Sequence, residues 1–207
     1  MKKTMMKAGL LAGLLAGGMT AATAQAPDAE MLAFTCLGCH GPGGQSVGPA
    51  TPTIAGMPRG AFILAMEGYR DGDLPGTVMD RHGGGYTPEE IRKMADFFAE
   101  QPYRPAKQDY DAALAARGAE VHEAHCAGCH ENNGAAFEDD LPRIAGQWIP
   151  YLEYTMIDYF RYGRPIPRGK GGRLRDFAEE RNREQMAEDI RALAHFYGSQ
   201  QDPALYK

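Results

Sequence analysis

No cysteine of this chain lies outside two five-residue stretches, no apolar run reaches membrane-spanning length, and positive charge is in the minority, with 22 Lys and Arg against 27 Asp and Glu. Each shortage excludes something. The longest apolar run, Ala8 to Met19, is about a dozen residues, well short of the roughly 20 a spanning helix needs. It follows Lys2, Lys3 and Lys7 and is followed by small residues with A-x-A patterns ending at Ala24 and Ala26, the composition of a secretory leader rather than an anchor. Residues 1–24 are expected to be removed, since a cut after Ala26 would place Pro27 directly behind it. The mature protein is then expected in the periplasm, without a membrane span. Losing three lysines and no acid takes the formal charge from -5 to -8, which argues against a nucleic-acid partner. The chain also offers no acid/base pair or activated nucleophile, so no catalytic chemistry of its own is expected.

What remains after the leader is rich in loop formers, with 26 Gly and 14 Pro in the full chain. Something other than a large apolar core must help to hold it. The four cysteines suggest what: they stand in "CLGCH" at Cys36 to His40 and "CAGCH" at Cys126 to His130. C-x-x-C-H is the attachment signature of c-type haem. Two thiols at this spacing add to the two vinyl groups on one porphyrin edge, and the next residue, histidine, reaches the iron from one face. Two disulfides or a zinc site would use the cysteines but leave both histidines unexplained, and the two pairs lie 90 residues apart, with Cys129 following Cys39 at that distance. Two covalently bound haem c groups are expected, on Cys36, Cys39 and His40 and on Cys126, Cys129 and His130.

The 90-residue offset persists beyond the motifs. "PTIAGMPRGAFILAMEGYRDG" from Pro52 matches "PRIAGQWIPYLEYTMIDYFRYG" from Pro142, so the chain reads as a tandem duplication. Each half ends in an amphipathic helix, "TPEEIRKMADFFAEQ" from Thr87 and "EDIRALAHFYGSQQ" from Glu188. In the first, Ile91, Met94, Ala95 and Phe98 form one apolar face, Thr87 is the N-cap and Glu90 stands at the capping-box position. Aligning Ile91 with Ile190 sets Phe98 on Tyr197. "QPYRPAKQDY", Gln101 to Tyr110, reads as an extended linker. The expected fold is all-α, with two small helical domains, 25–105 and 106–207. Units of this size bury little surface alone, and each haem would supply an apolar plate for its helices.

His40 and His130 are the expected proximal ligands of iron. For the sixth position of the first haem the candidate is Met79, in the loop "GDLPGTVMDRHGGGY" between the middle and last helices; methionine opposite histidine raises the potential and closes the iron to substrates. Met57, Met66 and Met94 read as core residues, and His82 as an exposed loop histidine. In the second half one extra residue shifts the offset to 91, Gly72 matches Gly163, and position 79 falls on Lys170. Three readings stay open: Lys170 binds iron as a neutral amine, its pKa lowered from about 10.4; Met186 swings in from the start of the last helix; or the iron keeps five ligands. Arg161, Arg164, Arg168, Lys170, Arg173 and Arg175 form a cationic cluster, either a solvated loop or a partner for haem propionates or an acidic protein.

The stretches "CLGCHGPGGQSVGPATPTIAG", "PGTVMDRHGGGYTPEEIRKMADFF", "QPYRPAKQDYDAAL" and "IAGQWIPYLEY" resemble the diheme cytochrome c subunits of flavocytochrome c sulfide dehydrogenases. The resemblance implies two class I cytochrome c domains related by a pseudo-twofold axis. It also implies an FAD-containing partner subunit that oxidises sulfide and passes electrons singly to this chain, which would hand them to a soluble cytochrome c or another acceptor. In "SVGPA" the Pro49 carbonyl looks like the acceptor that orients His40. The family pattern has methionine where this chain has Lys170.

Overall fold

The computed structural model describes residues 26–161, 164 and 171–206; the leader and Lys170 lie outside the described residues. Among these residues there is no β-strand, and the architecture is all-α. Asp28 starts the first helix, α1 (Ala29–His40), by accepting a hydrogen bond from the Met31 amide at 2.8 Å. Then follow α2 (Arg59–Asp71), α3 (Met79–Gly83) and α4 (Pro88–Ala99). The linker is irregular as its prolines require. The second half has α5 (Ala112–Val121), α6 (Ile149–Arg161), α7 (Gly171–Glu179) and α8 (Arg183–Gly198).

The last helix of each half is its hub, with α1 and α2 packing on α4 and α5 and α6 on α8. The apolar face read from the sequence is inside: Ile91, Met94, Ala95 and Phe98 are all 0% exposed. Thr87 and Glu90 close the expected capping box. Around them gather Leu32, Ala33, Ile54, Phe62 and Met66, with the Phe62 and Phe98 rings stacked 5.4 Å apart. A second core, with Ile149, Leu152, Phe177, Leu193, Phe196 and Tyr197, draws only on the second half. Two elements depart from expectation. α3 and α7 are helical where loops are expected, and α8 begins five residues before Glu188, because Asn182 and Gln185 form their own capping box.

Three backbone bonds repeat from one half to the other. The Gly44 carbonyl accepts from the amides of Ile54 and Ala55, and Gly134 from those of Ile144 and Ala145. Gly56 N–H donates to the Phe98 carbonyl at 2.8 Å, and Gly146 N–H to that of Tyr197 at 2.8 Å. Gly44 and Gly134 share φ values of 81° and 83°, which only glycine adopts without strain.

One close approach belongs to the second half alone. A Cβ on Gly118 of α5 would stand 2.1 Å from the Ala192 carbonyl oxygen of α8 and 2.7 Å from the Phe196 Cβ. Gly118→Val would have to push the two helices apart. We expect a loss of about 3 kcal/mol, at the upper end of overpacking costs, measured by denaturant unfolding, with no change in the first half. A wild-type midpoint for this variant would contradict the packing.

The halves are joined by hydrogen bonds with no repeat symmetry. The Gln147 amide spans the gap twice, accepting from Thr53 N–H at 3.0 Å and donating to the Thr53 carbonyl at 2.7 Å. Trp148 donates to the Ser46 carbonyl, and its indole lies where a Cβ on Gly48 would be, 2.5 Å away. Asp139 caps α2 from the other half, accepting from Gly60 N–H at 2.9 Å through its carboxylate and from Ala61 N–H at 2.6 Å through its carbonyl. The linker is tied down too: Gln45 makes both amide bonds to the Arg104 backbone, and Tyr103 donates to the Ala145 carbonyl. The linker and the "AGQWIPYL" run are therefore part of this interface.

Candidate haem sites

His40 ends α1 and is 7% exposed. Its Nδ1 lies 2.9 Å from the Pro52 carbonyl, an oxygen that can only accept, so Nδ1 carries the proton and the Nε2 lone pair is left for a metal. Burial holds the ring's pKa below the usual imidazole value and keeps it neutral. The orienting carbonyl is Pro52, not Pro49 as the resemblance implies. Ser46 explains the difference: its hydroxyl donates to the Thr51 carbonyl and accepts from Gly48 N–H, drawing residues 46–51 into a separate turn against Trp148. Pro142 stands 90 residues after Pro52, as His130 does after His40.

None of the four cysteines is paired with another. Neither disulfide forms, and among the described residues no group of three His, Cys, Asp or Glu side chains is gathered for a metal ion. Burial raises the pKa of Cys36 and of Cys126. Protonated thiols beside a neutral histidine suit addition to vinyl groups. A second observation tests the fit to haem. Arg164 Nε is buried without a hydrogen-bond partner, whereas Arg70 already pairs with Asp71 at 2.7 and 2.9 Å and holds its Nη1 3.9 Å from Glu67. A buried guanidinium nitrogen favours an anionic acceptor, and a haem carboxylate would supply one for Arg164.

Arg164 lies where the halves meet. Its guanidinium carbon is 5.9 Å from the ring centre of Tyr69 and 5.3 Å from that of Tyr159, the repeat mate of Tyr69, and Nη2 donates to the Tyr69 hydroxyl at 3.1 Å. So this member of the cationic cluster is no solvated side chain, whereas Arg175 is exposed. Arg168, Lys170 and the side chains of Arg161 and Arg173 lie outside the described residues. Arg164→Met, which removes the charge and keeps the stem, is expected to lower a haem potential in a redox titration, because a buried cation favours the reduced state. Unchanged potentials would separate Arg164 from the haem carboxylates.

Met79 begins α3, half-buried against the first core. His82, on the same turn, is exposed yet close enough to lower the basicity of His40. In the second half Met156 and Met186 both pack on the core, Met186 from the first turn of α8.

Several second-half residues carry a site role that the sequence reading passes over. After α5 the chain makes one wide turn over His122–Cys126, with Ala127 N–H bonded to the His122 carbonyl at 2.8 Å. His122 is buried, its Nδ1 is 2.9 Å from the Tyr197 hydroxyl, and that hydroxyl acts on the Cys126 thiol packed against the same core. Before Cys126, His125 contacts Arg181 Nη2 at 2.9 Å. Arg181 lies 3.8 Å over the Phe177 ring and bonds Asp189 at 2.7 Å, and Arg117 bonds the other Asp189 oxygen at 2.9 Å. Asp189→Ala would leave two arginines without their buried carboxylate, and we expect it to cost about 3 kcal/mol in thermal unfolding. The corresponding tie in the first half is the bond that the Tyr86 hydroxyl donates to Thr35, 2.6 Å long, while the Thr35 hydroxyl donates to the Leu32 carbonyl.

The sequence pattern of the family Cytochrome c matches residues 115–200. Cytochrome c4 of Azotobacter vinelandii is 27% identical over 192 residues, which cover 82% of this chain and 88% of that protein. The chain belongs to the cytochrome c family. The cytochrome subunit of sulfide dehydrogenase from Chlorobaculum tepidum is 39% identical over 69 residues, covering 33% of this cytochrome and 62% of the relative. The crystal structure of reduced cytochrome c4 from Pseudomonas stutzeri superposes with a TM-score of 0.66 at 24% identity, over 84% of this cytochrome and all of that chain. With two C-x-x-C-H motifs on this fold, the protein is a diheme class I c-type cytochrome, an electron carrier without catalytic chemistry of its own. Among the described residues no helix is long and apolar enough to cross a membrane.

Proposed function

We propose that this cytochrome works in the periplasm as the electron-transfer subunit of a sulfide dehydrogenase, taking electrons singly from an FAD-containing partner and passing them to a soluble cytochrome c or another acceptor. The iron of each bound haem c would supply the one-electron chemistry. In the unit 25–105, Cys36 and Cys39 hold the haem and His40 and Met79 ligate its iron. In the unit 106–207, Cys126, Cys129 and His130 do so, with Lys170 as the sixth ligand. Supporting this reading is the 39% identity to a sulfide dehydrogenase cytochrome subunit, concentrated in 69 residues.

A second reading, a stand-alone carrier that feeds a terminal oxidase, draws on the longer match to cytochrome c4, 192 residues against 69. Purification from the native periplasm separates the two. Co-purifying flavin and rapid reduction of the cytochrome by sulfide are expected. A flavin-free protein inert to sulfide would move the assignment to the stand-alone carrier.

A further inference from the structure

The two halves differ at one buried point beside the haem attachment. His122 lies 90 residues after Leu32, and Tyr197 aligns with Phe98, so the second half replaces an apolar pair with a hydrogen-bonded one. Leu32 is 7% exposed and Phe98 0%; His122 is 3% and Tyr197 2%. The site is equally closed in both halves. Packing alone would be served by leucine and phenylalanine, as it is in the first half.

The His–Tyr pair ends on Cys126. Once that sulfur is bonded to haem it has no proton, so a hydrogen bond between it and Tyr197 has to be donated by the tyrosine. Tyr197 has one proton to give. Directed to a bare His122 Nδ1, the proton leaves the sulfur without a donor. When Nδ1 carries its own proton it donates to the Tyr197 oxygen, and the hydroxyl can turn to the sulfur. Neutral His122 can carry its proton on either nitrogen, whereas protonated His122 must carry one on Nδ1, so protonation adds a positive charge near the second haem and commits the Tyr197 hydroxyl to its thioether. Both effects favour the reduced state.

We propose that His122 and Tyr197 set the potential of the second haem and couple it to pH, with no such coupling at the equivalent point of the first. For each electron that the haem receives from its donor protein, His122 takes one proton from water, and it returns that proton on oxidation. Burial holds His122 below the ordinary imidazole pKa, with Glu123 pulling the other way. Besides these, the charged groups turned toward this core are Asp189 and Arg181 of α8 and the turn before it, joined to Arg117 and His125. The coupling therefore falls on the acid side of the ordinary imidazole range. The inference rests on haem attachment at Cys126 and not on which partner supplies the electrons.

The test is a redox titration of the haem-loaded full chain from roughly pH 5 to pH 8, the range where an imidazole titrates. As pH falls, the midpoint of one haem should rise, with a limiting slope of about 59 mV per pH unit for one proton per electron. The double variant His122→Leu with Tyr197→Phe recreates the first half's pair and should flatten that slope. A flat wild-type profile, or a slope that survives in the double variant, overturns the proposal. Independently of how that variant folds, NMR titration of His122 in the unaltered protein should give a higher pKa in the reduced state than in the oxidised; equal values would also overturn it. Absence of the second haem would refute the diheme reading instead, and haem content reveals it before any titration.

Discussion

Replacing Cys126 and Cys129 with alanine will leave a protein with one covalent haem instead of two and a second half that no longer holds its structure. The second core is small: Ile149, Leu152, Phe177, Leu193, Ala194, Phe196 and Tyr197 are its buried members. Several of its best-placed side chains are polar, with His122 against Tyr197 and Asp189 beneath two arginines. A unit of about 100 residues with so few apolar groups sits near the lower limit of independent stability, and the haem is part of its core. Its loss should remove more than about 5 kcal/mol, the low end of the whole stability of an ordinary domain. The first half, with its own core around Phe98, Ile91 and Met94, should keep its haem and its transition. Haem absorbance per chain, read with circular dichroism, checks both parts. A variant with one haem and unchanged helix content would show that the protein alone holds the second half.

Met79→Leu should abolish the methionine–iron charge-transfer band of the first haem and lower its potential on the order of 0.1 V, a fraction of the roughly 0.8 V range that axial ligands span. The fold should survive, since Met79 is only half-buried at the start of a five-residue helix and leucine keeps its contact with the core. In the second half the corresponding change is Lys170→Ala, which should alter the spectrum of that haem. Met186→Leu should not, because the α8 capping box fixes Met186 in the first turn of its helix, against the core. A band and potential that survive Met79→Leu would show that Met79 is not the sixth ligand of the first haem.

Features set by covalent or local chemistry could be read from the chain directly. The C-x-x-C-H spacing admits few readings, the apolar face of α4 follows from Ile91, Met94, Ala95 and Phe98, and its cap from Thr87 and Glu90. The repeat was legible because the 90-residue offset of the two motifs carries on through the stretches from Pro52 and Pro142. Features that depend on contacts between the halves were not. Pro52 rather than Pro49 orients His40 because Ser46 and Trp148 shape the intervening turn, and Trp148 lies about a hundred residues away in sequence. Nothing local marks Gln147 as the clamp on Thr53 or Arg164 as the cation between two tyrosines. The start of α8 and the His122–Tyr197 pair fall between these cases: Asn182 and Gln185 have capping-box spacing, and the repeat offsets set His122 on Leu32 and Tyr197 on Phe98.

The most direct test of the account is an optically monitored potentiometric titration of the mature protein, with haem content determined on the same sample. Two covalent haem groups per chain are expected, titrating as two one-electron waves at different potentials, with the methionine–iron band following only one of them. One haem per chain, or two identical waves that share the band, would contradict a diheme carrier with unequal sites.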